Sequence, residues 1–79
     1  MITIYSTRTC GFCHAAKQYL NGLGVDYDEV KVDEIPDGPQ KLIDKSGQLG
    51  VPVIDFDGNI IIGFNRPQLD LLLREKKLI

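Results

Sequence analysis

Cys10-Gly11-Phe12-Cys13 holds the only two cysteines of the 79-residue chain and sits between a short β-branched run and a helical periodicity. On a helix, side chains three residues apart share a face, with Cβ atoms about 5–6 Å apart. A disulfide needs Cβ atoms about 3.5–4.5 Å apart. A small tightening of the first helical turn therefore closes this pair, and its relaxation reopens it. A bridge across two intervening residues closes a loop too short to constrain the unfolded chain strongly. The spacing suits a reversible redox switch better than a permanent brace.

The apolar core must then hold the fold unaided. The chain reads as one domain, residues 1–79, near the lower size limit for folding without staples. Its 43 % hydrophobic content is ordinary for a globular domain and sufficient for such a core. Two cysteines fall short of a secreted disulfide framework. Met1-Ile2-Thr3-Ile4-Tyr5 shows no basic region followed by a long apolar stretch, so no signal peptide is expected. No apolar run approaches the ~20 residues of a membrane helix. Acids and bases are mixed, with net charge −2, which argues against a nucleic-acid or membrane surface. A soluble, cytoplasmic monomer is expected.

Ile2 to Tyr5 reads as a strand, with Thr9 as the cap of the helix that follows. Cys13, Ala16, Leu20 and Leu23 recur at the helical period, and Gly22 and Gly24 offer its stop. A less buried strand falls within residues 25–33, carrying Tyr27, Val30 and Val32. Pro39 opens a short helix with Leu42, Ile43 and Leu49 on its apolar side, ended by Gly47 or Gly50. Asp57-Gly58 joins strands at 51–56 and 59–62 as a two-residue hairpin. Pro67 opens a last helix with Leu69, Leu72 and Leu73, its carboxyl end complemented by Lys76 and Lys77. The order β-α-β-α-β-β-α predicts an α/β fold: a mixed four-stranded sheet covered by three helices. The apolar runs at 51–54 and 60–62 predict central strands covered on both sides.

A thiolate, not a thiol, attacks a disulfide. Cys10 is expected at or just before the first helical turn, where unpaired N–H groups and the positive dipole end favour an anion. Arg8 adds positive charge nearby. Cys10 is thus the expected nucleophile, and Cys13, one turn in on the apolar face, the resolving thiol. Phe12 shields the pair and forms a groove wall. His14 points about 100° away from Cys13 and reads as a surface residue. Structural zinc wants four ligands, which two cysteines and one histidine do not supply, so no metal ligands are assigned.

Ile4-Tyr5-Ser6, Thr9-Cys10-Gly11-Phe12-Cys13-His14, Ala16, Lys17, Gly50-Val51-Pro52-Val53 and Gly58 together resemble a glutaredoxin-like redoxin of the thioredoxin fold. The resemblance implies a cis Val51-Pro52 bond beside the cysteines, with neighbouring backbone that pairs with an extended thiol substrate. It also implies substrate contacts at Gly63, Phe64 and Asn65, where glutaredoxins hold the ends of glutathione. Three features depart from the glutathione-binding pattern. Thr7 stands where glutaredoxins carry a lysine, with Arg8 as the adjacent substitute. Gly-Phe replaces Pro-Tyr between the cysteines. Gly63-Phe64-Asn65-Arg66-Pro67 replaces a Gly-Gly-x-Asp-Asp stretch and looks like the NrdH redoxins.

The function expected is a thiol–disulfide oxidoreductase with no tightly bound cofactor. The NrdH likeness implies electrons from thioredoxin reductase and a protein target such as ribonucleotide reductase. Glutathione as the reductant is the alternative. A cluster or metal carrier and a redox-inert binding module are rivals from other classes. A thioredoxin with a carboxylate behind its cysteines is disfavoured, because the first strand holds no acid.

Overall fold

The period-two alternation of β1 (Ile2–Ser6) divides the interior into two layers. Ile2 and Ile4 point to one face, joining Ala16, Leu20, Ile54, Phe56, Ile61, Leu69 and Leu73 in the larger core. Tyr5 points to the other and packs with Val32, Leu42 and Val53. β3 (Val53–Phe56) repeats the pattern, sending Ile54 and Phe56 to the larger core and Val53 to the smaller. Helices α1 (Gly11–Gly22) and α3 (Arg66–Glu75) cover the first face, and α2 (Gly38–Ser46) the second.

The computed structural model describes residues 1–78. With β2 (Asp28–Lys31) and β4 (Asn59–Ile62), its elements run β-α-β-α-β-β-α. The sheet order is β2-β1-β3-β4. β1 and β2 are parallel, while β1–β3 and β3–β4 are antiparallel. This is the mixed sheet with three helices expected of a thioredoxin-like fold.

Helix α1 buries Cys13, Ala16 and Leu20, and α3 buries Leu69, Leu72 and Leu73. Wholly buried leucines contribute ~1.5–3 kcal/mol each through removal from water. Two backbone details fix the connections. Asp57 and Gly58 take φ values of 52° and 92°, the paired left-handed conformation whose twist matches a two-residue hairpin. Gly38 starts α2 directly against β2's exit: a Cβ there would lie 2.1 Å from the Val32 carbonyl oxygen. Only glycine permits that approach.

Several expectations change. β4 is an edge strand rather than a central one, and Ile62 is 56 % exposed; its apolar run reflects one buried residue, Ile61, and β-propensity. β2 is shorter than residues 25–33 and forms the opposite edge. Val51 and Pro52 precede β3. Leu23 falls at the α1 cap and is exposed. Ile43 and Leu49 do not share the apolar side of α2 with Leu42. Gly47, left-handed at φ 75°, ends that helix and leaves Leu49 in the exposed loop beyond it.

Candidate active site

Strand register gathers the site at one end of the sheet. Tyr5 of β1 pairs with Val53 of β3, and Val53 pairs with Ile62 of β4. The residues next outward are therefore Ser6 and Thr7, then Val51-Pro52, then Gly63-Phe64. The Val51-Pro52 peptide bond is cis, as the resemblance implies. The Gly63 N–H donates to the Pro52 carbonyl at 2.8 Å, tying the second and third segments together. Pro52 is buried, while Val51, Gly63 and Phe64 are half-buried.

The cysteine pair enters from the β1–α1 loop. Cys10 itself is the N-cap of α1, with extended backbone, and its Sγ accepts a hydrogen bond from the Cys13 N–H at 3.1 Å. The cap expected at Thr9 thus lies one residue later, because the helix opens at Gly11. A cap sulfur facing the first-turn N–H groups is placed where negative charge is stabilised. Cys10 is half-buried and Cys13 fully buried, both as free thiols. Burial first, then the Cys10 contact and charge, push the Cys13 thiol up to about 12; the Thr7 backbone and the Lys17 charge pull it down. The two thiols thus occupy unlike settings, one at a helix start open to solvent and one in the core.

Phe12 is 71 % exposed beside the pair, consistent with a groove wall. Arg8 does not stand free: its backbone N–H and Nε both donate to Asp33 Oδ2 at 3.2 Å. Asn65 is likewise occupied, as the N-cap of α3 with Oδ1 accepting from the Gln68 N–H. Phe64 packs on Tyr19, ring centroids 5.9 Å apart. The Arg66 guanidinium lies 4.4 Å above the Tyr19 ring, and the Tyr19 hydroxyl donates to Asp70. His14 is exposed, its Nε2 3.4 Å from the Arg8 carbonyl. Among the described residues, no group of three or more His, Cys, Asp and Glu side chains is arranged to hold a metal ion.

One group escapes the sequence reading. Glu29 of β2 accepts from Lys17 Nζ at 2.7 Å and from the buried Ser6 hydroxyl at 2.6 Å. Burial opposes its charge, but the Lys17 and Ser6 hydrogen bonds prevail and hold its carboxyl below the usual range. The Glu29 hydrogen bond correspondingly raises Lys17. A carboxylate does approach the cysteine helix, then, but from the parallel neighbour of β1. The available signal was Lys17, four residues after Cys13 and hence on the same helix face.

The glutaredoxin family model matches residues 2–61. The chain belongs to the glutaredoxin family. A glutaredoxin-like 8.6 kDa protein of the rubredoxin operon of Clostridium pasteurianum is 43 % identical over 75 residues, covering 95 % of this chain and 100 % of that one. Glutaredoxin 3 of Escherichia coli strain K12 is 36 % identical over 62 residues, 78 % of this chain and 75 % of that one. The solved structure of the glutaredoxin-like NrdH-redoxin of Escherichia coli, described as having a thioredoxin-like activity profile, superposes with a TM-score of 0.74 at 32 % identity. That match covers 92 % of this chain and 91 % of the other. As a glutaredoxin-family protein the chain is a thiol–disulfide oxidoreductase, with two cysteines in its active-site region.

Proposed function

We propose that this glutaredoxin-family chain reduces protein disulfides through Cys10 and Cys13, taking its electrons from thioredoxin reductase in the manner of an NrdH redoxin. The observation that carries the reading is the cap: the Cys10 sulfur held at the start of α1 by the Cys13 N–H, with the Cys13 sulfur buried a turn behind.

The Cys10 thiolate attacks one sulfur of the target disulfide, and the other sulfur leaves as a thiolate. Cys13 loses its proton and attacks Cys10 Sγ. The second target thiolate departs, the Cys10–Cys13 disulfide forms, and the target has gained two electrons. One proton, from Cys13, passes to solvent or to a departing thiolate. Phe12, Val51, Pro52, Gly63 and Phe64 form the surface beside the pair that receives the target's extended segment.

The electron source is argued from the residues where glutathione's ends would be bound. Asn65 is committed to capping α3, and Arg66 to Tyr19, in the stretch where the glutathione-binding pattern carries two acids. Arg8 is already paired with Asp33. These engagements favour the reductase-fed reading, and with it a cytoplasmic setting and a target such as ribonucleotide reductase. Glutathione remains the second reading, favoured by the match to glutaredoxin 3. Turnover of a protein disulfide with NADPH and thioredoxin reductase, run beside glutathione with its own reductase, separates the two. Faster turnover in the first arm supports the proposal; turnover confined to the second overturns it.

A further inference from the structure

The Ser6–Glu29–Lys17 array is built more carefully than a surface ion pair. Lys17 and Glu29 are only 18 % and 21 % exposed, and Glu29 Oε2 receives both the ammonium and the Ser6 hydroxyl. Ser6 is 1 % exposed and would lose its partner if Glu29 moved. The array lines a pocket of about 150 Å³ together with Thr7, Arg8, His14 and Lys31. Cys13 lies one turn before Lys17 on the same face of α1.

The array deepens the dithiol reading, on which it rests. In a mixed disulfide Cys10 bears no charge, so its repulsion of a Cys13 thiolate vanishes. Burial still opposes that thiolate; the Thr7 backbone and the Lys17 ammonium oppose burial. Lys17 is the one charged side chain acting in that direction. The other charged groups round the pocket are engaged or exposed: Arg8 with Asp33, Lys31 with Glu34, and His14 at the rim. Lys17 is flexible by nature, with a long unbranched stem. What fixes its ammonium is Glu29, itself anchored by Ser6.

We propose that Lys17, fixed in place by Glu29, is a positioning residue for the resolving step: it stabilises the Cys13 thiolate that attacks the mixed disulfide. In this step the Cys13 S–H bond breaks, its proton passes to solvent or to a departing thiolate, and the Cys13 sulfur bonds to Cys10 as the target thiolate leaves. The target disulfide is the oxidant.

The test mixes reduced protein with dithiobis-nitrobenzoate, an aromatic disulfide whose thiolate is coloured. Attack by Cys10 releases the first coloured thiolate, and resolution by Cys13 releases the second. If the unsubstituted protein gives no second release, the dithiol reading itself fails, whatever Lys17 does. Given two releases, Lys17→Gln leaves the first rate unchanged and slows the second roughly tenfold near neutral pH, displacing its rising pH limb upward by about one unit. Lys17→Arg restores the second rate to within about twofold, since charge and Glu29 partner persist. Glu29→Gln slows the second release less than Lys17→Gln, and adds nothing when combined with it. A second release with the unsubstituted pH profile in Lys17→Gln overturns the proposal. So does a Lys17→Arg variant as slow as Lys17→Gln, because lost packing rather than lost charge would then explain the effect.

Discussion

The sulfur of Cys10 accepts the backbone N–H of Cys13 at 3.1 Å, so the helix that buries one cysteine also holds the other at its mouth. That contact makes the two thiols unequal before any substrate arrives. The Cys10 sulfur sits among first-turn N–H groups, while the Cys13 sulfur lies in the core.

The inequality predicts selective alkylation. Treating the reduced native protein with iodoacetamide at mildly alkaline pH, followed by peptide mapping, should find label on Cys10 and almost none on Cys13. Cys13 is 0 % exposed and its thiol is raised to about 12, so burial and protonation both protect it. Equal labelling of the native protein would contradict the arrangement.

The start of α2 gives a prediction about stability. Gly38→Ala should destabilise the fold by about 1–3 kcal/mol, the cost of overpacking against atoms with no room to retreat, and equilibrium denaturation in urea reads it. The added methyl would meet the carbonyl oxygen and carbonyl carbon of Val32 at 2.1 and 2.7 Å. These are backbone atoms of the β2 exit rather than a flexible side chain. Gly11, by contrast, has nothing within 4 Å of a built Cβ, so Gly11→Ala should leave the urea midpoint nearly unchanged.

The two glycines also show where sequence reading succeeds and stops. Strand and helix identities follow from local periodicity: Ile2 and Ile4 on one face, and Cys13, Ala16 and Leu20 on one stripe. The Asp57-Gly58 turn and the Pro39 and Pro67 helix starts carry their own chemical signatures. The cysteine pair was legible for the same reason, as both residues lie within one turn. What depends on strand order was hidden. Nothing in Ile60-Ile61-Ile62 reveals that β4 lies at an edge. Nor does residue 29 reveal that parallel pairing with Ile4 brings its carboxylate to Ser6 and Lys17. In the sequence Gly38 reads only as part of the turn at Pro36-Asp37-Gly38-Pro39, because its constraint comes from Val32, across that turn rather than within the helix.

The Lys17–Glu29 pair gives a pH signature in stability. Glu29's folded pKa lies below its ordinary 4.5, so its contribution is present above that value and lost as pH falls through the folded one. Lys17's folded pKa lies above its ordinary 10.5, so its contribution is present below that value and lost as pH rises through the folded one. The pair should therefore stabilise the fold fully between these two limits, by about 1–2 kcal/mol for partly buried, charge-assisted hydrogen bonds. Urea melts of Glu29→Gln should show that loss near neutrality and a narrowing gap to the unsubstituted protein as pH falls from 4.5 through Glu29's lowered folded value. A gap that stays constant into acid would contradict the assignment.

The core under α3 carries a larger share of stability than any surface pair. Leu69 is fully buried against the β-sheet face that holds Ile4, Ile54 and Ile61. Leu69→Ala should cost about 2–5 kcal/mol through lost burial and the cavity left behind. In so short a chain that is enough to bring the thermal midpoint close to ordinary working temperatures. Circular dichroism melting checks it, and an unchanged midpoint would show that α3 is not held by this face.

The division of labour between the two sulfurs is read most directly by trapping. Cys13→Ser should stop the reaction at its first half, accumulating a mixed disulfide between Cys10 and a disulfide-containing target, visible as one target thiol added to the intact mass. Cys10→Ser should form no such adduct and show no turnover. An adduct mapped to Cys13, or disulfide reduction by Cys10→Ser at the unsubstituted rate, would contradict the assignment of Cys10 as the attacking sulfur.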